Sequence, residues 1–185
     1  MSEIKSSNNS GRKPGFRGRF FSGLVTAILV LAIGSSYAAR GPNYTRLANL
    51  ERVMPEADRF SEKEGEPPVI RAYKNDELIG YVYLTNDVPP LANGYSGPIN
   101  VLIGLGLDGY IKGLRVVSYR ESHRLNLGDF LAVPGFQEQF IGKHATDNFR
   151  VYYDVDGMAR ATITVKAMAK GIRHSIRRVA QTYLR

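Results

Sequence analysis

Two hydroxyls stand where a glycine-bearing turn gives way to a basic helix. The chain there reads Asp156-Gly157-Met158-Ala159-Arg160-Ala161-Thr162-Ile163-Thr164, and beyond it Val165, Met168, Ile172, Ile176, Val179 and Tyr183 recur at steps of three and four. That period predicts a helix with one buried stripe. A helix N-terminus carries N–H groups without partners and a partial positive charge, so it suits an anion such as a phosphate. No acidic residue lies between Ala159 and Arg185; Arg160, Lys166 and Lys170 can add to an anion site, and Arg173, Arg177, Arg178 and Arg185 continue the charge. A threonine at a helix start can also be a plain N-cap. From this stretch alone Thr162 and Thr164 read either way.

Elsewhere, residues that could do chemistry are sparse. No paired-carboxylate or serine-triad arrangement is visible, and the absence of cysteine excludes disulfides, thiolate metal sites and a cysteine nucleophile. His123, His144 and His174 lack the spacing of metal ligands on one helix, so neither a metal site nor a catalytic residue is expected. Tyr95 sits in the loop Gly94-Tyr95-Ser96-Gly97-Pro98, where its ring can face a flat ligand or pack on a turn. Gly104, Gly106 and Gly109 match the G-x-G-x-x-G spacing of a dinucleotide fingerprint. That motif needs a strand leading into a helix, and here a strand leads into another strand.

The elements that must position these residues read as α+β. Leu47, Leu50 and Met54 suggest a short amphipathic helix, ended or restarted at Pro55; Ser61 to Pro68 reads as a polar loop. Val69 to Tyr73 and Leu78 to Leu84 read as strands around the turn 74–77, with the alternation of a half-buried hairpin. Ile99 to Leu107 and Tyr110 to Tyr119 are apolar strands joined at Asp108-Gly109, a strong hairpin signal. A short helix is expected over Phe136 to Ile141 and a further strand over Phe149 to Tyr153. The whole is an antiparallel sheet flanked by helices.

At 185 residues, with 43% hydrophobic and 23% charged side chains, the chain has room for one domain and an appendage. Its net charge of +8 sits at two ends, the segment 1–19 and the helix from 160 onward, and the middle is net acidic. No zinc finger or basic zipper accompanies that charge, so no nucleic-acid partner is expected. Residues 1–19 form a basic, polar N-terminus with Lys5, Arg12, Lys13, Arg17 and Arg19. Residues 20–39 are uncharged and long enough, at about 20 residues, to cross a bilayer. The positive flank predicts a cytoplasmic N-terminus and an exported remainder, 40–185. Ser36-Tyr37-Ala38 would also serve as a signal-peptidase site, so the segment is an anchor or a signal helix.

Asp156 to Thr162 resembles the D-x-x-S/T-G-A-T motif of FMN-binding domains, in which a transferase joins FMN through its phosphate to the last threonine. The stretch from Met54 to Glu121, with Pro55-Glu56-Ala57-Asp58-Arg59-Phe60, the Tyr95 loop and the Asp108-Gly109 hairpin, is similar to the extracytoplasmic domain of the NosR/NirI family. More distantly it resembles the flavin subunits of Rnf and sodium-pumping NADH:quinone reductase complexes. The resemblance implies an FMN-carrying domain over 40–185 that transfers electrons, with a flavin transferase, redox proteins and the cytoplasmic membrane as partners, facing the periplasm or cell exterior. It makes Thr162 the attachment site and Asp156 part of the transferase's motif. Tyr95, Ser96, Gly97, Glu121 and Ser122 would border the ring, and Arg160, Ala161, Thr164 and Lys166 would surround the phosphate. Two positions depart from the motif: Ala159 stands for Ser or Thr, and Arg160 for Gly. Those departures keep open a second expectation, an exported binding or regulatory module without covalent flavin.

Overall fold

The computed structural model describes residues 47–120 and 128–185. The expected leader over 20–39, and Glu121 and Ser122 with it, lie outside those residues. Among the described residues no helix is long and apolar enough to cross a membrane. What is described is α+β: a five-stranded antiparallel meander with a helix on each face.

The strands are β1 (Arg59–Glu64), β2 (Val69–Lys74), β3 (Glu77–Leu84), β4 (Asn100–Gly106) and β5 (Ile111–Ser118), and their order in the sheet is their order in the chain. Asn75 and Asp76, both at positive φ, make the two-residue β2–β3 turn, a geometry whose twist matches that of the strands it joins. Gly109, at φ 80°, helps turn β4 into β5. These strands match the hydrophobic patterns from which they were expected.

β1 corrects the reading of residues 61–64 as loop, while 65–68 form the turn into β2. Its sequence, Arg-Phe-Ser-Glu-Lys-Glu, is charged because it is an edge strand with mostly exposed side chains. Its register shifts between Phe60 and Lys63, and Ser61 Oγ there accepts the Arg71 N–H at 2.9 Å. Ion pairs hold it to its neighbours, Arg71–Glu64 at 2.9 Å and Lys63–Asp87 at 2.8 Å. The hydrophobic pattern that betrays inner strands is absent at such an edge.

Because side chains alternate across a strand, the sheet feeds two cores. Ile70, Ala72, Val82, Leu84 and Leu102 point to the face covered by α1 (Leu47–Val53), where Leu50, Val53 and Met54 are buried. Val69, Tyr81, Tyr83, Val101, Ile103 and Leu105 point to the other face. There the long helix α2 (Thr162–Tyr183) lays down Val165, Met168, Ile172, Ile176 and Val179, all at most 1% exposed. β4 is buried along its whole length, so the inner strands are covered on both faces rather than half-buried.

Glycines let α1 approach. A Cβ on Gly104 would meet the carbonyl oxygen of Val53, and one on Gly113, its cross-strand partner, would meet the backbone of the same residue. The G-x-G-x-x-G spacing therefore arises from helix packing at Gly104 and the turn at Gly109.

Between β5 and α2 the described chain has little regular structure, held by Phe130, Leu131, Phe136 and Phe140 in the α2-side core. The short helix expected over 136–141 is one 3-10 turn, Glu138–Phe140, between Gly135 and Gly142 at positive φ. So short a segment gains too few hydrogen bonds to propagate as an α-helix.

Candidate functional site

The strand expected over Phe149 to Tyr153 is a turn instead. Asp154 accepts hydrogen bonds from the N–H groups of Phe149 (2.9 Å) and Arg150, and its carboxylate lies 3.7 Å from Lys143 Nζ. A carboxylate that satisfies two consecutive N–H groups competes with strand pairing, and here it prevails. Phe149 and Tyr152 take positive φ, 47° and 70°. All that remains of strand character is one bridge between Val151 and Val155. Desolvation opposes ionisation of Asp154, but the N–H bonds from Arg150 and Phe149 and the charge of Lys143 outweigh it and hold its pKa below the usual carboxylate value.

The sign of the pH dependence follows from that depression. The stabilisation is fully present above the unfolded pKa and is lost as pH falls through the lower folded one. Thermal melts run from neutral pH down past about 4 should show the wild-type chain losing stability on its acid limb. Asp154→Asn should lower stability at neutral pH and flatten that limb. Parallel profiles would mean that Asp154 does not carry the turn.

The turn delivers the Tyr152 hydroxyl to Thr162 Oγ1, at 3.1 Å. A bulky side chain at positive φ is costly and is kept where the surroundings impose it. The Tyr152 ring lies against Gly157, where a Cβ would collide with it, and Lys166 Nζ stands 5.9 Å from the ring centroid. Tyr152 is 70% exposed and Tyr153 is 73% exposed.

α2 starts at Thr162 without a side-chain cap. Ala161 is the N-cap residue and forms no cap bond, so the plain capping role open to Thr162 and Thr164 is not taken by either. The first-turn N–H groups of an uncapped helix are available to an anion. Arg160, standing where the motif has Gly, has φ 64°, the left-handed conformation that favours glycine. The departure at residue 160 thus keeps the backbone turn and adds a cation.

A groove of about 680 Å³ opens beside Tyr152, lined by Arg150, Tyr152, Tyr153, Lys166, Lys170 and Arg173 among others. That volume lies within the roughly 300–1,000 Å³ of small-molecule sites. Two exposed rings, a line of cations and a half-buried threonine hydroxyl fit a planar, aromatic phosphate ester.

The expected site residues divide among several places. Thr162, Arg160 and Lys166 cluster at the start of α2, and Lys166 lines the groove. Asp156 is exposed on the approach to α2, its N–H bonded to Gln139 Oε1 at 2.6 Å. Ala161 and Thr164, each 4% exposed, belong to the buried side of the helix, so Thr164 does not offer its hydroxyl to solvent. Tyr95, Ser96 and Gly97 form a tight turn closed by the Gly94 N–H to Gly97 carbonyl bond (2.7 Å) and do not line this groove. Lys170, expected to add to an anion site, also lines the groove, whereas Tyr152 and Arg173 were not among the expected site residues. Arg173 follows from the step of three after Lys170; nothing in the sequence marks Tyr152.

Residues 94–177 match the family described as FMN-binding domain. The chain is 30% identical over 166 residues to the G component of the proton-translocating ferredoxin:NAD(+) oxidoreductase complex of Clostridium ljungdahlii, covering 86% of this chain and 85% of that protein. It is 34% identical over 96 residues to the G component of the ion-translocating oxidoreductase complex of Vibrio atlanticus, covering 48% of this chain and 46% of that one. To the G component of the Na(+)-translocating ferredoxin:NAD(+) oxidoreductase complex of Acetobacterium woodii it is 29% identical over 110 residues, covering 55% and 50%. The matches to the latter two span about half of each relative.

Proposed function

We propose a role that proceeds from one premise: the chain belongs to the FMN-binding domain family, alongside the G components of ion-translocating oxidoreductase complexes. It is a flavoprotein domain, its cofactor is FMN, and its expected kinship with the flavin subunits of ion-translocating complexes is borne out. The role is that of an electron carrier within such a complex, with FMN held as a phosphoester on Thr162. The observation that carries this reading is the Thr162 hydroxyl, free of any capping duty, half-buried at the head of a cationic helix and next to a groove of adequate size.

FMN supplies reversible uptake of electrons when bound, and the chain's residues hold and tune it. The helix N-terminus, Arg160 and Lys166 balance the single charge that a phosphodiester keeps. The rings of Tyr152 and Tyr153 give the flat flavin an aromatic wall. A complex that translocates ions works across a membrane, and the run over 20–39 with its basic flank supports a single anchor. In this reading residues 40–185 face the periplasm or cell exterior, and a flavin transferase attaches the group. Chain purified after coexpression with such a transferase should be yellow, bleach with dithionite and recover in air. A colourless chain would remove the carrier role.

Tyr152 has a part in that attachment. In this reading the phenol oxygen accepts the Thr162 hydroxyl proton across their 3.1 Å contact and so orients Oγ1. Removing one such bond, worth roughly 1 kcal/mol, slows attachment about fivefold. Tyr152→Phe should show that slowing in a time course read by intact mass, with an unchanged far-ultraviolet circular dichroism spectrum. Equal rates would make Tyr152 a bystander.

A further inference from the structure

We propose that the cationic face of α2 is the docking surface for an acidic redox partner protein, an inference that rests on the electron-carrier reading above. Thr162, Lys166, Lys170, Arg173 and Arg177 follow one another at steps of four, four, three and four. They therefore share one face of the helix, headed by the threonine. Arg178 widens the stripe, and Lys166 to Arg178 spans about 18 Å. A second groove, of about 400 Å³, lies along it between Pro90, Leu91 and Ala92 on one bank and Lys170, Arg173 and Arg178 on the other. Because Lys170 and Arg173 also line the tyrosine groove, the two run together along the helix.

Neither groove is lined by a carboxylate. On the sheet, by contrast, four cations are paired: Arg59–Asp76, Lys63–Asp87, Arg71–Glu64 and Lys112–Asp108. Among the described residues, Lys166, Lys170, Arg173, Arg177 and Arg178 make no ion pair with an acid. Arg177 is held by backbone carbonyls, the best at 2.9 Å from Asp147, and that contact leaves its charge uncancelled. Five like charges in a row repel one another, so their alignment is unfavourable until an anionic surface meets them.

Two features select an acidic protein over a lipid surface. The cations line concave grooves with protein walls on both sides, whereas a bilayer presents no ridge to enter them. The far wall is also fixed: His174 Nε2 donates to the Pro89 carbonyl at 2.8 Å, and Ala92 comes within 3.2 Å of where a Gly171 Cβ would sit. Leu91, 43% exposed, supplies apolar contact beside the charge, as at a protein interface. A partner seated there reaches Lys170, about 12 Å along the helix from Thr162, close enough to exchange electrons with a flavin attached at that residue.

The test uses the full chain, with a fluorescent oligo-glutamate peptide as the anionic probe. Lys170→Gln, Arg173→Gln and Arg178→Gln together should weaken peptide binding at low salt by about tenfold or more and flatten its salt dependence. The single exposed change Arg178→Gln should give part of that effect, and Arg52→Gln with Lys74→Gln on the sheet side should give none. In FMN-loaded, dithionite-reduced chain, oxidation by ferricyanide should slow in the triple variant, while oxidation by hexaammineruthenium should quicken. Unchanged peptide binding overturns the docking surface and leaves the carrier reading standing. Charge-dependent binding to phosphatidylglycerol vesicles but not to the peptide overturns it in favour of a lipid surface. Peptide binding by a chain that takes no flavin overturns both the redox partner and the carrier.

Discussion

Thr162→Ala should leave a folded chain that no longer keeps FMN through denaturation. The substitution removes Oγ1 and its 3.1 Å bond to Tyr152, and little else, because the residue is half-buried and caps nothing. The cost to stability is about 1 kcal/mol or less, whereas covalent retention falls to background. Thr162→Ser, which keeps a hydroxyl at the same place, should retain the flavin. Fluorescence of the denatured chain in a gel reads the outcome, and a thermal melt confirms folding. Flavin retained by Thr162→Ala would move the attachment elsewhere, and Thr164 is a poor candidate at 4% exposure.

The largest effect on stability is expected from the opposite side of the sheet, at Gly104→Ala. The new methyl would collide with the Val53 carbonyl, a backbone atom at the end of α1 that no rotamer change can move aside. α1 must lift, and with it the burial of Leu50, Val53 and Met54 against Ile70, Val82 and Leu102. Overpacking of this kind costs about 3 kcal/mol, which lowers Tm by about 10 °C in a domain of this size. Gly104 and α1 lie on the face away from α2, so covalent FMN should be kept in whatever fraction stays folded. A melt matching wild type would show that α1 is not seated against β4.

The sequence was informative where burial imposed a period. β2 to β5 and α2 announce themselves because apolar residues must face a core at steps of two, or of three and four, and Val165 to Val179 do so without a break. β1 was hidden because an exposed edge carries Glu62, Lys63 and Glu64 where an inner strand carries valines. The turn over 149–155 was hidden because Tyr152 and Tyr153 are strand-forming types, and their conformation is decided by one carboxylate, Asp154, which only the folded chain brings to the N–H groups of Phe149 and Arg150. Tyr152 could not have been assigned to the site for the same reason.

The proposed attachment residue, Thr162, was legible through its motif, and Arg160, standing where that motif has glycine, keeps a glycine-like backbone with φ 64°. At Thr164 the helical period was the signal to use: residues two apart on a helix face different sides, so Thr162 and Thr164 do not offer their hydroxyls to one site, and Thr164 is the buried one. The alternative of a binding or regulatory module without covalent flavin rested on the departures at residues 159 and 160. The match of residues 94–177 to FMN-binding domains supports flavin binding, and the linkage is what separates the two readings.

The most direct measurement is mass mapping of the chain after coexpression with a flavin transferase and denaturation. One peptide containing Thr162 is expected, heavier by FMN less one water, with fragmentation placing the added mass on that residue. An unmodified Thr162 peptide, or flavin mapped to any other residue, would contradict it.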